Sequence, residues 1–258
     1  MAQRETPEGG AIRVERRGAV VVLTIDRPAV RNALDDAGWL ELRDQLRLMS
    51  EDPAVRVVVV TGSGDRAFCA GMDLRQVREG GSGRWAPDDL PTPLQAQREV
   101  ERATKPILAA VNGDAVGAGG QLALACHLQI AARTARIGFP ELRYGIVPAA
   151  AGLLPPLVGR SRALGLVLLG DLLGAAEAHA MGLLTYLMEP DQVLPEALRI
   201  ADTLAERDPA AVAGILQLAA SSRTLSPEQL LAATAAYHGA AHAPAAAPPP
   251  VARKEASP

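Results

Sequence analysis

The chain has 258 residues, of which 48% are hydrophobic, and carries a formal net charge of -3 with a pI near 5.9. That is apolar material for one large domain or two small ones, and the absence of any lysine-rich run or basic stripe excludes nucleic acid as a partner class. The two cysteines, Cys69 and Cys126, lack a companion at metal-ligand spacing, which points to a reduced, cytoplasmic setting.

Met1 to Gly10 is polar where a secretory signal would be apolar, and no apolar run reaches membrane-spanning length, so a soluble protein without a membrane partner is expected. Ile12 to Glu15 and Ala19 to Ile25 flank Arg16, Arg17 and Gly18 and read as a β-hairpin. After turn-rich residues 26–32, Asp36 is placed to cap a helix over 37–49, with Leu40, Leu42, Leu46 and Leu48 as its apolar surface. Val55 to Thr61 is a β-branched run typical of a strand buried on both faces. Gly62 to Asp65 turns the chain into Ala67 to Leu74, and Arg78 to Pro93 reads as a mobile surface loop.

Pro106 to Val111 makes another buried strand, and the glycine cluster Gly113 to Gly120 opens a helix reaching about Cys126. Strands follow near Gln129 to Ala132 and Arg136 to Phe139. Ser161 is placed to cap a helix through Leu169; Ala175 to Met181, Leu194 to Arg207 and Ala210 to Ala220 complete a helical C-terminal part. The alternation argues an α/β fold. Residues 1–11 are expected to be a flexible N-terminus, 12–190 the core, 191–242 a helical C-terminal region, and 243–258 a disordered Ala/Pro-rich tail.

Two segments carry chemistry. Phe68-Cys69-Ala70-Gly71-Met72-Asp73-Leu74 follows a buried strand with residues small enough for close approach of backbone to a ligand. Val111-Asn112-Gly113-Asp114-Ala115-Val116-Gly117-Ala118-Gly119-Gly120-Gln121-Leu122 repeats strand, small-residue turn and helix start. Two such turns can aim two N–H groups at one oxygen, which is what an enolate requires.

The wording of these segments resembles the crotonase (enoyl-CoA hydratase/isomerase) superfamily. The resemblance continues, in family order, in Asp26-Arg27-Pro28 with Asn32-Ala33-Leu34, in Val57 to Gly62, and in Gly138-Phe139-Pro140-Glu141 with Gly145-Ile146-Val147-Pro148. It implies a spiral of repeated ββα units, an acyl-CoA substrate, and assembly as a homotrimer or dimer of trimers through the C-terminal helices, where Leu194, Leu198, Ile200 and Leu204 supply apolar faces. By the same resemblance, the oxyanion-hole amides fall on Met72 and Ala118. Coenzyme A, as part of the substrate, runs along Ala70, Asp73, Leu74, Arg75 and Gly117, with Val30 and Arg31 beside its pantetheine and phosphates. No metal-ligand cluster or P-loop accompanies them, so neither a metal nor a redox cofactor is expected.

Hydratases of the family hold a water between two glutamates. Here the later position is Glu141, but the earlier one is Gln121, which cannot accept a proton near neutral pH. One carboxylate suffices for a double-bond shift, so isomerisation is slightly favoured over hydration; a crotonase-fold dehydratase or decarboxylase of a specialised biosynthetic pathway, with a carrier-protein thioester as one candidate substrate, is the alternative. Burial among Phe139, Pro140 and Leu142 is expected to raise the Glu141 pKa. His127, where the family has an aspartate, reads as structural.

Overall fold

A computed structural model of the chain describes residues 3–5, 10–78, 90–222 and 224–241. Most of the expected Arg78 to Pro93 loop and all of the 243–258 tail lie outside the described residues.

Strands β1 (Gln3–Glu5), β2 (Ile12–Arg17) and β3 (Val20–Ile25) form an antiparallel meander. Part of the segment expected to be flexible is therefore an edge strand. The hairpin is present, but β2 runs two residues beyond Glu15, because Arg16 and Arg17 pair with Val21 and Val20 while Gly18, at φ +62, takes the turn. Alternation buries Ile12 and Val14 on one face of β2, whereas every residue of β3 is buried.

Helix α1 covers Asp36–Glu51, and its cap is Asp35, not Asp36: the Asp35 side chain accepts a hydrogen bond from the Gly38 N–H at 2.9 Å. Its buried stripe is Trp39, Leu42, Leu46 and Met49, a 3.6-residue repeat that leaves Leu48 half exposed. The Asp36 carboxylate instead accepts from Thr92 Oγ1 and Gln76 Nε2, tying α1 to the segments that follow.

From β4 (Val57–Gly62) onward the chain repeats one unit. Strand β4 is followed by β5 (Ala67–Cys69) and the helices α2 (Leu74–Arg78) and α3 (Thr92–Arg102). Strand β6 (Ile107–Val111) is followed by β7 (Asp114–Val116) and α4 (Ala118–Ala125). Strand β8 (Leu128–Ala132) is followed by β9 (Arg136–Gly138) and the helices α5 (Ala150–Leu153), α6 (Pro155–Val158) and α7 (Arg160–Leu169). The first strand of each unit joins one sheet and the second joins another. The chain thus advances as a spiral of ββα units, and the fold is mixed α/β with its last helices gathered at the C-terminus.

The C-terminal part comprises β10 (Leu173–Gly174), α8 (Ala175–Ala180), β11 (Tyr186–Met188), α9 (Val193–Ala205), α10 (Pro209–Ser221) and α11 (Pro227–Ala241). The large sheet has the order β1-β2-β3-β4-β6-β8-β11, parallel from β3 onward, and the small one β10-β9-β7-β5. Strands β4 and β6 are buried throughout, as their continuous Val/Ile/Leu/Ala wording dictates. Two sequence expectations change here. Ser161 is exposed inside the first turn of α7, whose cap is Gly159 with no side-chain bond. Helix α9 buries Val193, Ala197 and Ala201 and lies against β3, β4, β6, β8 and β11, so Leu194, Leu198, Ile200 and Leu204 pack on the chain's own core. They remain partly exposed. Among the described residues, no helix is long and apolar enough to cross a membrane.

The two cap assignments can be separated by measurement. Asp35→Ala is expected to destabilise the chain by about 1 kcal/mol in urea unfolding. Ser161→Ala should stay within about 0.5 kcal/mol of the parent, since it removes no hydrogen bond.

Candidate active site

The first turn is set by where β4 ends. Asn32, at φ +57, donates from Nδ2 to the Ser63 and Ala67 carbonyls at 3.0 and 2.7 Å, and its Oδ1 accepts the Arg27 N–H at 3.0 Å. On the other side Asn112 Oδ1 accepts the Gly62 N–H at 3.0 Å while its Nδ2 donates to Gly64 O at 2.8 Å. The two asparagines therefore hold the β4–β5 junction from both flanks. Beyond β5 the Leu34 N–H donates to Gly71 O and the Asp73 N–H to Leu34 O, both at 2.9 Å. This parallel bridge uses the groups on either side of Met72 and leaves the Met72 N–H outside it.

The second turn meets the first from β7. Gly117 adopts φ +58 and ψ -127, a conformation that L side chains rarely take, and caps α4 with no side chain of its own. The first helical bond runs from the Gln121 N–H to Gly117 O, so the amides of Ala118, Gly119 and Gly120 head a helix N-terminus without intrahelical acceptors. The turns are in contact: a Cβ on Gly71 would lie 3.2 Å from the Ala118 nitrogen, and one on Gly119 would lie 2.1 Å from the Cys69 carbonyl oxygen.

Glu141 enters from a third direction, on the one-turn 3₁₀ helix Pro140–Tyr144. A Cβ on Gly117 would lie 3.4 Å from Glu141 Oε1, and Gln121 Nε2 donates to that same oxygen at 2.5 Å. The second oxygen, Oε2, is buried without a hydrogen-bond partner. Burial pushes the Glu141 carboxyl above its ordinary pKa, and the Gln121 hydrogen bond offsets part of that rise. Phe139 is fully buried beside it, but Leu142 is 47% exposed and is not part of that enclosure.

One cleft of about 900 Å³, open on one side, brings together Ala70, Met72, Leu74, Gly117, Ala118, Gln121 and Glu141. Glu141 is the only carboxylate among its described lining residues. The rest of the wall is apolar: Pro91, Pro93 and Leu94 of the α3 segment face Ile146, Val147 and Pro148. These residues were not foreseen in the sequence, although Pro93 in the first turn and buried Ala96, Gln97 and Val100 mark α3 as a helix with an inner face.

Four of the sequence candidates lie outside the lining. Asp73 is 8% exposed; its carboxylate accepts from Arg75 at 3.0 Å, which holds its pKa below the ordinary range, and Arg27 stands 3.7 Å away. Its partners are thus within the fold. Arg75 extends outward from that pair. Val30 ends a 3₁₀ turn and Arg31 is exposed at φ +54, with the Arg31 carbonyl accepting the Ala70 N–H at 3.1 Å. The Arg31 backbone braces the first turn, and its side chain stands outside the cleft.

His127 is away from the cleft. Its Nδ1 accepts the Ile107 N–H at 2.9 Å, and burial holds its pKa below the ordinary value. Cys69 and Cys126 are buried free thiols, both pushed up to about 12 by desolvation and so unreactive near neutral pH. Among the described residues, no group of three or more His, Cys, Asp or Glu side chains could hold a metal ion.

Comparison with known proteins converges on one family. A family model described as enoyl-CoA hydratase/isomerase matches residues 15–243. The chain is 37% identical over 201 residues to a crotonyl-CoA hydratase from Syntrophomonas wolfei, covering 77% of each protein. It is 36% identical over 221 residues to a 2,3-dehydroadipyl-CoA hydratase from Escherichia coli, covering 85% of each. Among solved structures, an enoyl-CoA hydratase from Bacillus anthracis superposes with a TM-score of 0.80 at 30% identity, over 88% of this chain and 89% of that one.

The contact between the two turns can be probed directly. Gly119→Ala places a methyl against the Cys69 carbonyl and is expected to cost ~3 kcal/mol or more in urea unfolding. Gly152→Ala, where nothing lies within 4 Å of the added carbon, should be neutral or stabilising.

Proposed function

Since the chain belongs to the enoyl-CoA hydratase/isomerase family, we propose that it moves a proton at the α-carbon of an acyl-CoA thioester, with Glu141 as acid and base. The observation that carries this reading is the Glu141 carboxylate: half-buried, raised in pKa, and with Oε2 making no hydrogen bond, on a residue that lines the same cleft as both turns. The ionised carboxylate takes the α-proton of a 3-enoyl thioester, and the C–H electron pair moves into the carbonyl to give a dienolate. The Met72 and Ala118 N–H groups donate to its oxygen, where the charge develops. Glu141, now a carboxylic acid, returns the proton to the γ-carbon and leaves a 2-enoyl thioester. No second base is needed.

Gln121 is the reason for favouring this double-bond shift over hydration. It donates to Glu141 Oε1 and so anchors the carboxylate with Oε2 left for the substrate, but it has no basic atom with which to activate a water. Hydration is the second reading, favoured by the activities for which the two relatives are named. A homotrimer or dimer of trimers, a cytoplasmic setting and the passage of coenzyme A near Val30, Arg31 and Arg75 are further parts of the proposal.

Incubation with paired 2-enoyl- and 3-enoyl-CoAs, read by product mass and chromatography, separates the readings: an isomer keeps the mass, whereas a hydrate gains one water. Glu141→Gln is expected to lower kcat by ~10²-fold or more with KM little changed, because it removes proton transfer and keeps the shape. Near-parent turnover would exclude Glu141 as the base. Gln121→Glu is expected to raise hydration relative to isomerisation by supplying the second carboxylate.

The pH dependence follows from the direction of the Glu141 shift. Proton removal needs the ionised form, so kcat/KM falls as pH drops through a pKa above that of an ordinary glutamate. Gln121→Leu removes a hydrogen bond that lowers this pKa, and the acidic limb of the profile should move to higher pH. A limb that stays in place, or moves down, would contradict the assigned contact.

A further inference from the structure

A second groove adjoins the cleft, and Leu94 and Ala149 line both. The groove runs between α3 and α5, with Gln97, Arg98 and Glu101 on one side and Gly152 and Leu153 on the other. Two of its buried polar atoms make no hydrogen bond. Gln97 is only 4% exposed and its Nε2 has no hydrogen-bond partner; Arg98 Nε, on the next residue, is also buried and unpartnered. Buried donors are nearly always paired in folded proteins, and leaving one unpaired is costly. Of the other buried positions of this helix, Pro93, Ala96 and Val100 are apolar and Thr92 donates to Asp36, so Gln97 is the one whose polar group finds no hydrogen-bond partner. Two unpaired donors on adjacent residues that line one groove suit an acceptor with two oxygens that reaches in to them.

We propose that this groove is a distal subsite for the acyl group, receiving a carboxylate carried at the end of the chain remote from the thioester. Gln97 Nε2 and Arg98 Nε donate to its oxygens, and the methylene path from the reacting carbons passes Leu94 and Ala149. Glu101, the one acid among the described groove residues, is exposed on the rim, leaving the buried side of the groove to the two donors. The proposal rests on the acyl-thioester reading of the main cleft.

The test uses the full chain and enoyl-CoAs of increasing length, supplied as matched pairs that end in a methyl or a carboxylate. At one chain length the carboxylate-ended member is expected to have the higher kcat/KM by ~10-fold or more. Arg98→Met and Gln97→Met should each cut that ratio at least ~3-fold, with Arg98→Lys retaining part of it, whereas a merely structural role would change both members of a pair alike. Arg98 is only partly buried, so Arg98→Met decides the matter if Gln97→Met fails to fold. No preference at any length, or a ratio unchanged in Arg98→Met, overturns the subsite while leaving the acyl-thioester reading intact. Failure to turn over either series removes that reading and the subsite together.

Discussion

The packing of the Gly119 backbone against the Cys69 carbonyl is the constraint on which the site depends. Strands β5 and β7 are neighbours in the small sheet, yet the turns that follow them leave in their own directions, and only a residue without Cβ permits the contact. Gly71, at φ +90 and within 3.2 Å of the Ala118 nitrogen by its absent Cβ, is the reciprocal half. Here glycine serves proximity as much as conformational freedom. Any side chain at either position would force apart the two backbones whose amides line the cleft.

Polar side chains add to the rigidity of this junction. Asn32 and Asn112 each make hydrogen bonds to backbone groups around the β4–β5 turn, and Arg27 donates to Ala33 O at 2.8 Å while facing Asp35 and Asp73. A buried asparagine bonded on both its oxygen and its nitrogen allows its neighbours one arrangement. These residues touch no part of the cleft lining, so they act through the position of the turns. Arg27 and Asn32, from the Asp-Arg-Pro and Asn-Ala-Leu motifs, thus support the first turn.

The long buried strands and both glycine turns were legible from local signatures, β-branched runs and small-residue clusters, whereas the ββα repeat and the meeting of Gln121 with Glu141 came from the family resemblance. Three kinds of feature were not. The Asp35 cap lies one residue from another aspartate, and the sequence alone cannot say which of the two leaves the helical conformation. Helix α3 follows a glycine-rich stretch whose composition masked its start, although it forms a wall of the cleft. The destination of an apolar stripe is a tertiary fact. The α9 leucines have the amphipathic pattern of an assembly surface and equally that of a helix lying on a sheet, and the structure uses them for the second.

The pairing of Gln121 with Glu141 carries a further electrostatic consequence. Two carboxylates at this separation would repel, so one pKa of the pair would rise and the two would titrate as a unit. An amide in place of one removes the repulsion and puts a donor where the second charge would stand, leaving burial as the main force raising the Glu141 pKa. The donor also distinguishes the two oxygens: Oε1 is held by Gln121 and faces Gly117, while Oε2 is buried with its lone pairs unused. In the proposed reaction, a carboxylate anchored in this way would take and return its proton through one oxygen. A hydratase has the harder task of placing a water between two acids, and the residue at position 121 removes one of them.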